Sequence, residues 1–147
     1  MKHKGFTLVE ILIVVIILGI LAAIVIPQFT EASDDARESS LRSDLQTVRS
    51  QLELYRVQHN SYPDGATSAD WIDQLSETTD IDGDTDGSDF GPYLQKFPVN
   101  PFNNTSAVVI DADGSSGPGL ASTDTAGWYF DTTTGKFAPN TADHASY

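Results

Sequence analysis

The sequence contains no cysteine among its 147 residues. This absence excludes cysteine nucleophiles, cysteine-ligated zinc and thiol redox chemistry. It also means that no disulfide can hold a small domain together, although exported proteins often use one. The loops of this chain must therefore be ordered by other contacts.

Basic residues are scarce. Lys and Arg total 8 against 21 Asp and Glu, which gives a formal net charge of -13 and a pI of about 4.2. A protein that binds nucleic acids or anionic lipid surfaces needs basic patches, so neither is an expected partner. The imbalance is largest after Asn60, where fourteen acidic residues accompany only Lys96 and Lys136. The distal part of the chain is therefore expected to meet a cation or a basic partner.

Histidine is also rare, and His3, His59 and His144 are far apart in the sequence. Nothing in the sequence places Ser, His and Asp together as a catalytic triad would require. A phosphate-binding glycine loop and His-rich zinc spacing are also missing from the sequence. The sequence therefore predicts that the protein is not an enzyme.

The strongest positive signal is an apolar run over residues 6–26 that contains one charged residue, Glu10. A helix of these 21 residues would be about 31 Å long, close to the ~30 Å hydrocarbon core of a bilayer. The preceding leader, residues 1–5, carries Lys2 and Lys4, which places the N-terminus on the cytoplasmic side. An ordinary secretory signal peptide and a plain single-pass anchor are the alternatives. Glu10 counts against the signal peptide, whose core carries no acidic residue.

Residues 27–59 predict the amphipathic half of the same helix. Apolar residues recur there at spacings of 4, 3, 4 and 3, which is one stripe of a helix facing a core; they are Leu41, Leu45, Val48, Leu52 and Tyr55. Arg42, Arg49 and Arg56 follow beside the stripe as a solvated or partner-facing flank. Pro27 is an expected soft point, because proline removes an intrahelical hydrogen bond.

Residues 60–147 predict a small globular region with long ordered loops. A short helix is expected over residues 69–75, and strands are expected over residues 107–110 and 127–131. A hairpin turn at residues 132–135 would lead into a third extended segment, residues 136–139. The predicted fold class is α+β, with one long N-terminal helix packed on a small antiparallel sheet.

The run Lys4-Gly5-Phe6-Thr7-Leu8-Val9-Glu10 resembles the processing site of type IV pilins and type II secretion pseudopilins. The resemblance implies that a prepilin peptidase cuts between Gly5 and Phe6 and methylates the new amino group. It also implies that Glu10 pairs with the α-amino group of Phe6 on a neighbouring subunit. Physics supports a special role for Glu10, since an ionised group at the centre of a membrane helix costs roughly 2.5 to 3.5 kcal/mol on insertion scales. The alternative is that Glu10 lies near the headgroups and is solvated.

Later residues are similar to those of major pseudopilins, notably Tyr62-Pro63 and Asp111-Ala-Asp113-Gly114. That resemblance implies a structural calcium ion in the late acidic loop, with Asp111, Asp113 and Asp124 as candidate ligands. A second calcium candidate is Asp82, Asp84 and Asp86, whose alternation fits the first half of an EF-hand loop. The twelfth position there is Tyr93, where a glutamate is wanted. For both sets the alternative is an acidic solvated loop with Asx turns.

The resemblance implies a structural subunit that polymerises. One expectation is a type II secretion pseudopilus, a periplasmic fibre built from subunits of the bacterial inner membrane that aids protein export. The alternative is a major or minor pilin of a cell-surface type IV pilus for adhesion or motility. Implied partners are further copies of the chain, minor pseudopilins or pilins, the prepilin peptidase and the inner-membrane assembly platform, with no nucleic acid. A membrane-tethered adhesin or binding module is the competing class of function.

Overall fold

The computed structural model describes residues 5–119 and 125–147. Two helices precede three strands: α1, Leu8–His59; α2, Ser68–Ser76; β1, Val108–Asp111; β2, Trp128–Asp131; and β3, Phe137–Pro139. A short 3-10 helix, Ala142–His144, follows near the end of the chain. The α+β fold class, the long N-terminal helix and the three short extended segments are confirmed.

Helix α1 is 52 residues long and continues through Pro27. Proline has no N–H, so the carbonyl of Ala23 one turn earlier loses its usual donor. The Thr30 hydroxyl donates to the Ile26 carbonyl at 3.3 Å, which engages a neighbouring backbone oxygen. The chain keeps helical geometry at Pro27, and its role as a soft point stays a prediction.

The chain forms two compact units, of which the first ends at Arg37 and the second runs from Glu38 to Tyr147. In the described part of the first unit, every large apolar side chain from Phe6 to Phe29 is 42% to 81% exposed. The most apolar 18-residue window of α1 has a mean hydropathy of 3.3, and none of it is buried. By length and composition, α1 can therefore cross a membrane.

The second unit has its own core. The predicted stripe of α1 is buried, with 0% to 2% exposure at each of its five positions. It joins aromatic side chains in one hydrophobic cluster that includes Trp71, Phe97, Trp128, Phe130 and Phe137. Trp71 lies against the Phe130 ring at 4.9 Å between centroids, and Trp128 stacks on Phe137 at 5.2 Å. Burial of large aromatic rings dominates the energetics of so small a core.

The sheet corrects one expectation. Its order is β1-β2-β3, with β1 parallel to β2 and β2 antiparallel to β3, so it is mixed and not antiparallel. The connections give the physical reason. Sixteen residues, 112–127, join β1 to β2, which is long enough for a crossover, whereas the five residues 132–136 between β2 and β3 form a hairpin. In the parallel pair Asp111 lies beside Asp131.

Arg49 ties α1 to the far edge of this sheet. Its guanidinium donates to the Phe137 carbonyl through Nε at 3.0 Å and through Nη2 at 2.7 Å. Nη2 also donates to the main-chain oxygen of Tyr147 at 2.6 Å. Arg49 was expected on a solvated or partner-facing flank. It instead joins the helix, β3 and the last residues of the sequence.

Candidate functional site

The predicted processing residues precede α1. Gly5 and Phe6 lie outside the helix, and the Phe6 side chain is 80% exposed. Among the described residues, a Cβ placed on Gly5 would have no neighbour within 4 Å. The subunit therefore has room for a side chain at this position, so any requirement for glycine there comes from something that binds it.

Glu10 has a local partner that sequence reasoning missed. The Glu10 backbone N–H donates to the Thr7 hydroxyl at 3.2 Å, and the Glu10 carboxylate accepts from the Thr7 backbone N–H at 3.3 Å. This reciprocal pair is a capping box, which satisfies two otherwise unpaired backbone donors at a helix N-terminus. The carboxylate also lies where the helix dipole favours negative charge. The Thr-x-x-Glu spacing is the sequence signature of such a capping box.

Asp111 accepts four hydrogen bonds and organises the loop after β1. Its Oδ1 accepts from the N–H groups of Asp113 at 3.3 Å and Gly114 at 3.0 Å. Its Oδ2 accepts from the Ser116 N–H at 2.9 Å and from the Tyr129 hydroxyl at 2.7 Å. The bonds from Tyr129 and Ser116 hold the pKa of the Asp111 carboxyl well below its usual range. Burial and the bond to Asp111 raise the pKa of Tyr129 to about 12.

Asp131, which neighbours Asp111 across the parallel pair, acts in the same way after β2. It accepts from the backbone N–H and the hydroxyl of both Thr133 and Thr134. The hydroxyl bonds from Thr133 and Thr134 are the main reason that the pKa of the Asp131 carboxyl is lowered. Both strands of the parallel pair thus end on an ionised carboxylate that folds the following turn.

The first calcium set is only partly within the described residues. The four donors on Asp111 use the lone pairs that a cation would need. Asp113 accepts the Ser115 N–H at 3.0 Å in an Asx turn, and Asp124 lies outside the described residues. Across residues 5–119 and 125–147, no group of three or more His, Asp or Glu side chains is arranged to hold a metal ion. The described residues alone do not fit a calcium site, and calcium binding here stays a prediction.

The second calcium set lies in a loop that Asp80 organises. Asp80 Oδ1 accepts the backbone N–H groups of Asp82 at 2.9 Å and Asp84 at 3.0 Å. The side chains of Asp82, Asp84 and Asp86 are exposed. Sequence reasoning missed Asp80, although an Asp two residues before the alternating run is typical of an Asx turn. Whether these three carboxylates bind calcium stays a prediction.

Comparison with known proteins identifies the family. Residues 1–26 match the prokaryotic N-terminal methylation motif, and residues 28–117 match the family model for type II secretion system (T2SS), protein G. The type II secretion system core protein G of Pseudomonas aeruginosa is 32% identical over 117 residues, which cover 80% of this chain and 79% of the relative. The chain belongs to the type II secretion protein G family. No solved structure matches the sequence significantly.

Other members of this family agree with the assignment. The core protein G of Vibrio cholerae is 28% identical over 112 residues, covering 76% of this chain and 74% of the relative. That of Escherichia coli is 27% identical over 108 residues, covering 74% and 72%. The chain is therefore a pseudopilus subunit and not a subunit of a type IV pilus. Membership and the apolar helix together make it a membrane-anchored structural protein.

Proposed function

We propose that this pseudopilin is cut between Gly5 and Phe6, held in the inner membrane with its N-terminus cytoplasmic, and then polymerised through the first half of α1 into a periplasmic fibre that aids export. The observation that carries the proposal is the surface of that helix. Its apolar side chains are exposed without exception from Phe6 to Phe29, and they need lipid first and neighbouring subunits afterwards.

Glu10 would change partners between these two states. In the unassembled subunit its carboxylate is held by Thr7, which offsets part of the cost of a charge near the membrane. Cleavage removes Lys2 and Lys4, so the formal charge goes from -13 to -15 before the new amine is counted. The freed α-amino group of Phe6 on a neighbour would then pair with Glu10, neutralise both charges inside an apolar fibre and set the spacing between subunits.

The proposal extends to the other expected partners. The chain would be processed by a prepilin peptidase, extracted by the inner-membrane assembly platform and joined in the fibre by minor pseudopilins. A calcium ion at Asp111, Asp113 and Asp124 would add order to the loop after β1, which has no disulfide to hold it.

The test uses two glycines that are equally unhindered. A Cβ at Gly5 or at Gly19 would have no neighbour within 4 Å in the part of the chain that the structure describes, so valine has room at both positions. Gly5→Val should leave the full-length precursor in the membrane and abolish fibres, whereas Gly19→Val should be cut normally. Intact mass spectrometry of the membrane-extracted chain reports loss of residues 1–5 and the added methyl group. Normal cleavage of the Gly5 variant, or an unprocessed wild-type chain beside an active peptidase, would overturn the proposal.

A further inference from the structure

The second compact unit has a high density of negative charge in one loop. The acidic loop, residues 77–89, contains six carboxylates and no Lys or Arg; they belong to Glu77, Asp80, Asp82, Asp84, Asp86 and Asp89. Within residues 5–119 and 125–147, the side-chain ion pairs closer than 4.0 Å are Arg37 with Asp34 and Arg42 with Glu38. Among these described residues, no carboxylate of the acidic loop therefore has a basic side chain within 4.0 Å.

The acidic loop is ordered and presents an apolar residue. The Asp80 N–H donates to the Asp84 carbonyl at 3.0 Å, and Thr79 exchanges backbone bonds with Phe90 at the base of the loop. Gly83 has a positive φ and lies so close to Tyr55 that a Cβ would be 2.5 Å from the phenol oxygen. Ile81, between two aspartates of this loop, is nevertheless 54% exposed. About half of this side chain is therefore left uncovered and could pack against another surface.

A groove that contains two arginines, of which Arg42 also pairs with Glu38 at 2.8 Å, lies elsewhere on the same unit, between α1 and Tyr147. It has a volume of about 430 Å³ and is lined by α1 residues from Arg42 to Glu53, including the buried Leu45, together with Tyr147. The Arg42 guanidinium lies over the Tyr147 ring, 5.0 Å from its centroid. Arg49 donates to two main-chain carbonyls, and no Asp or Glu side chain of the described residues is within 4.0 Å of it.

We propose that this groove receives the acidic loop of a second copy of the chain. Ile81 of one copy enters beside Leu45 and Tyr147 of the next, and the loop carboxylates face Arg42 and Arg49. This contact rests on the proposed polymerisation and names the surfaces that the second units use in it. A protrusion and a pocket at different places on one molecule give a head-to-tail contact that does not close, which is the geometry that a fibre needs.

The positions of the two surfaces along α1 suit such a contact. The acidic loop lies beside the helix at Tyr55 and His59, through Gly83 and Thr79. The groove spans the helix from Arg42 to Glu53. At 1.5 Å per residue the two centres are about 15 Å apart along the helix axis. A neighbour displaced by that distance, with a rotation set by the fibre, would bring the acidic loop to the level of the groove.

Cysteine cross-linking tests the contact directly, because the chain has no cysteine of its own. The variant Ile81→Cys with Gln46→Cys places thiols on the acidic loop and in the groove, and the full-length chain is oxidised in assembled fibres. A ladder of disulfide-linked multimers on a non-reducing gel is expected, about tenfold stronger than from Ile81→Cys with Ala112→Cys, since a disulfide needs Cα atoms within ~7 Å. Ala112 is exposed and lies outside the groove. Equal yields from the two pairs would overturn the proposal.

Charge exchange supplies the second test. Asp82→Lys or Arg42→Glu alone should lower the fraction of the chain in fibres about threefold to tenfold, and the double variant should restore it to within about twofold of wild type. A double variant no better than either single one contradicts the contact. If a calcium chelator reproduces the loss caused by Asp82→Lys and Arg42→Glu does not rescue it, the acidic loop binds a cation and the proposal is wrong.

A further control separates this inference from the proposed function. Glu10→Ala should abolish fibres whatever the groove does. A wild-type chain that forms no fibres in the presence of its assembly system contradicts polymerisation itself. Wild-type fibres that show neither the cross-link nor the charge rescue contradict only the contact between the acidic loop and the groove.

Discussion

Truncating Leu52 should unfold the second compact unit at a much lower temperature than truncating Leu54 two residues later. Both are leucines on α1, but Leu52 is 1% exposed in the core and Leu54 is 45% exposed. A buried Leu→Ala change costs about 2 to 5 kcal/mol, from lost transfer free energy and the cavity that remains. At a partly exposed position the same change should cost about 0.5 kcal/mol.

The chain provides its own probe for this measurement. Its two tryptophans, Trp71 and Trp128, are both fully buried in the core of the second unit. Their fluorescence therefore reports unfolding of that unit while the first unit stays in a detergent micelle. For a unit of this size 1 kcal/mol shifts the midpoint by about 5 °C, so Leu52→Ala should lower it by about 10 to 25 °C.

The result that would refute the reasoning is equally specific. If Leu52→Ala and Leu54→Ala lower the midpoint by the same amount, the stripe does not face the core. A shift of less than about 3 °C for Leu52→Ala would mean that the site collapses around the cavity or that α1 contributes little to the unit. The first result would refute the assignment of the stripe residues to the core, and the second would refute the predicted size of the loss.

Three further outcomes are expected. Thr7→Val removes the capping hydroxyl, whereas Glu10→Gln removes the charge, so Thr7→Val should reduce fibre yield less. Shearing and immunoblotting measure the yield, and an equal loss would mean that the two residues share one role. The folded-state pKa values of Asp111 and Asp131 are lowered, so their contribution to stability is present above the unfolded value of 3.8 and is lost as pH falls through the folded values. Melting midpoints from pH 7 to pH 2 should show this loss, and Asp111→Asn should flatten the curve; an unchanged slope argues against the carboxylate. Adding a chelator should lower the midpoint if either acidic loop binds calcium, and an unchanged midpoint counts against both.

The elements with local signals could be predicted from the sequence. The apolar run and the stripe with its 3.6-residue period predicted α1, and the aromatic segment around Trp128 predicted β2. The Thr7 and Glu10 capping box was also readable, because its signal is a spacing of three residues. These features depend on neighbours within about two turns of helix or one strand.

Features that depend on distant residues could not be predicted in this way. Parallel pairing of β1 with β2 depends on the path of the sixteen residues that connect them. The composition of that segment does not determine the path. The role of Arg49 depends on the Phe137 carbonyl 88 residues away. The Tyr129 hydroxyl on Asp111 is likewise a contact across strands. Both of these side-chain contacts join a polar group to a partner that only the folded chain brings near.

The acidic residues therefore include two groups with different surroundings. Asp80, Asp111 and Asp131 turn their carboxylates toward backbone N–H and hydroxyl groups and hold loops that no disulfide can hold. Such carboxylates are tolerated away from bulk solvent because several donors satisfy the charge. Asp82 and its exposed neighbours have no Arg or Lys side chain within 4.0 Å among the described residues, so no ion pair there relieves their mutual repulsion. Under the contact proposed above, Arg42 and Arg49 of a neighbouring copy would supply the positive charge.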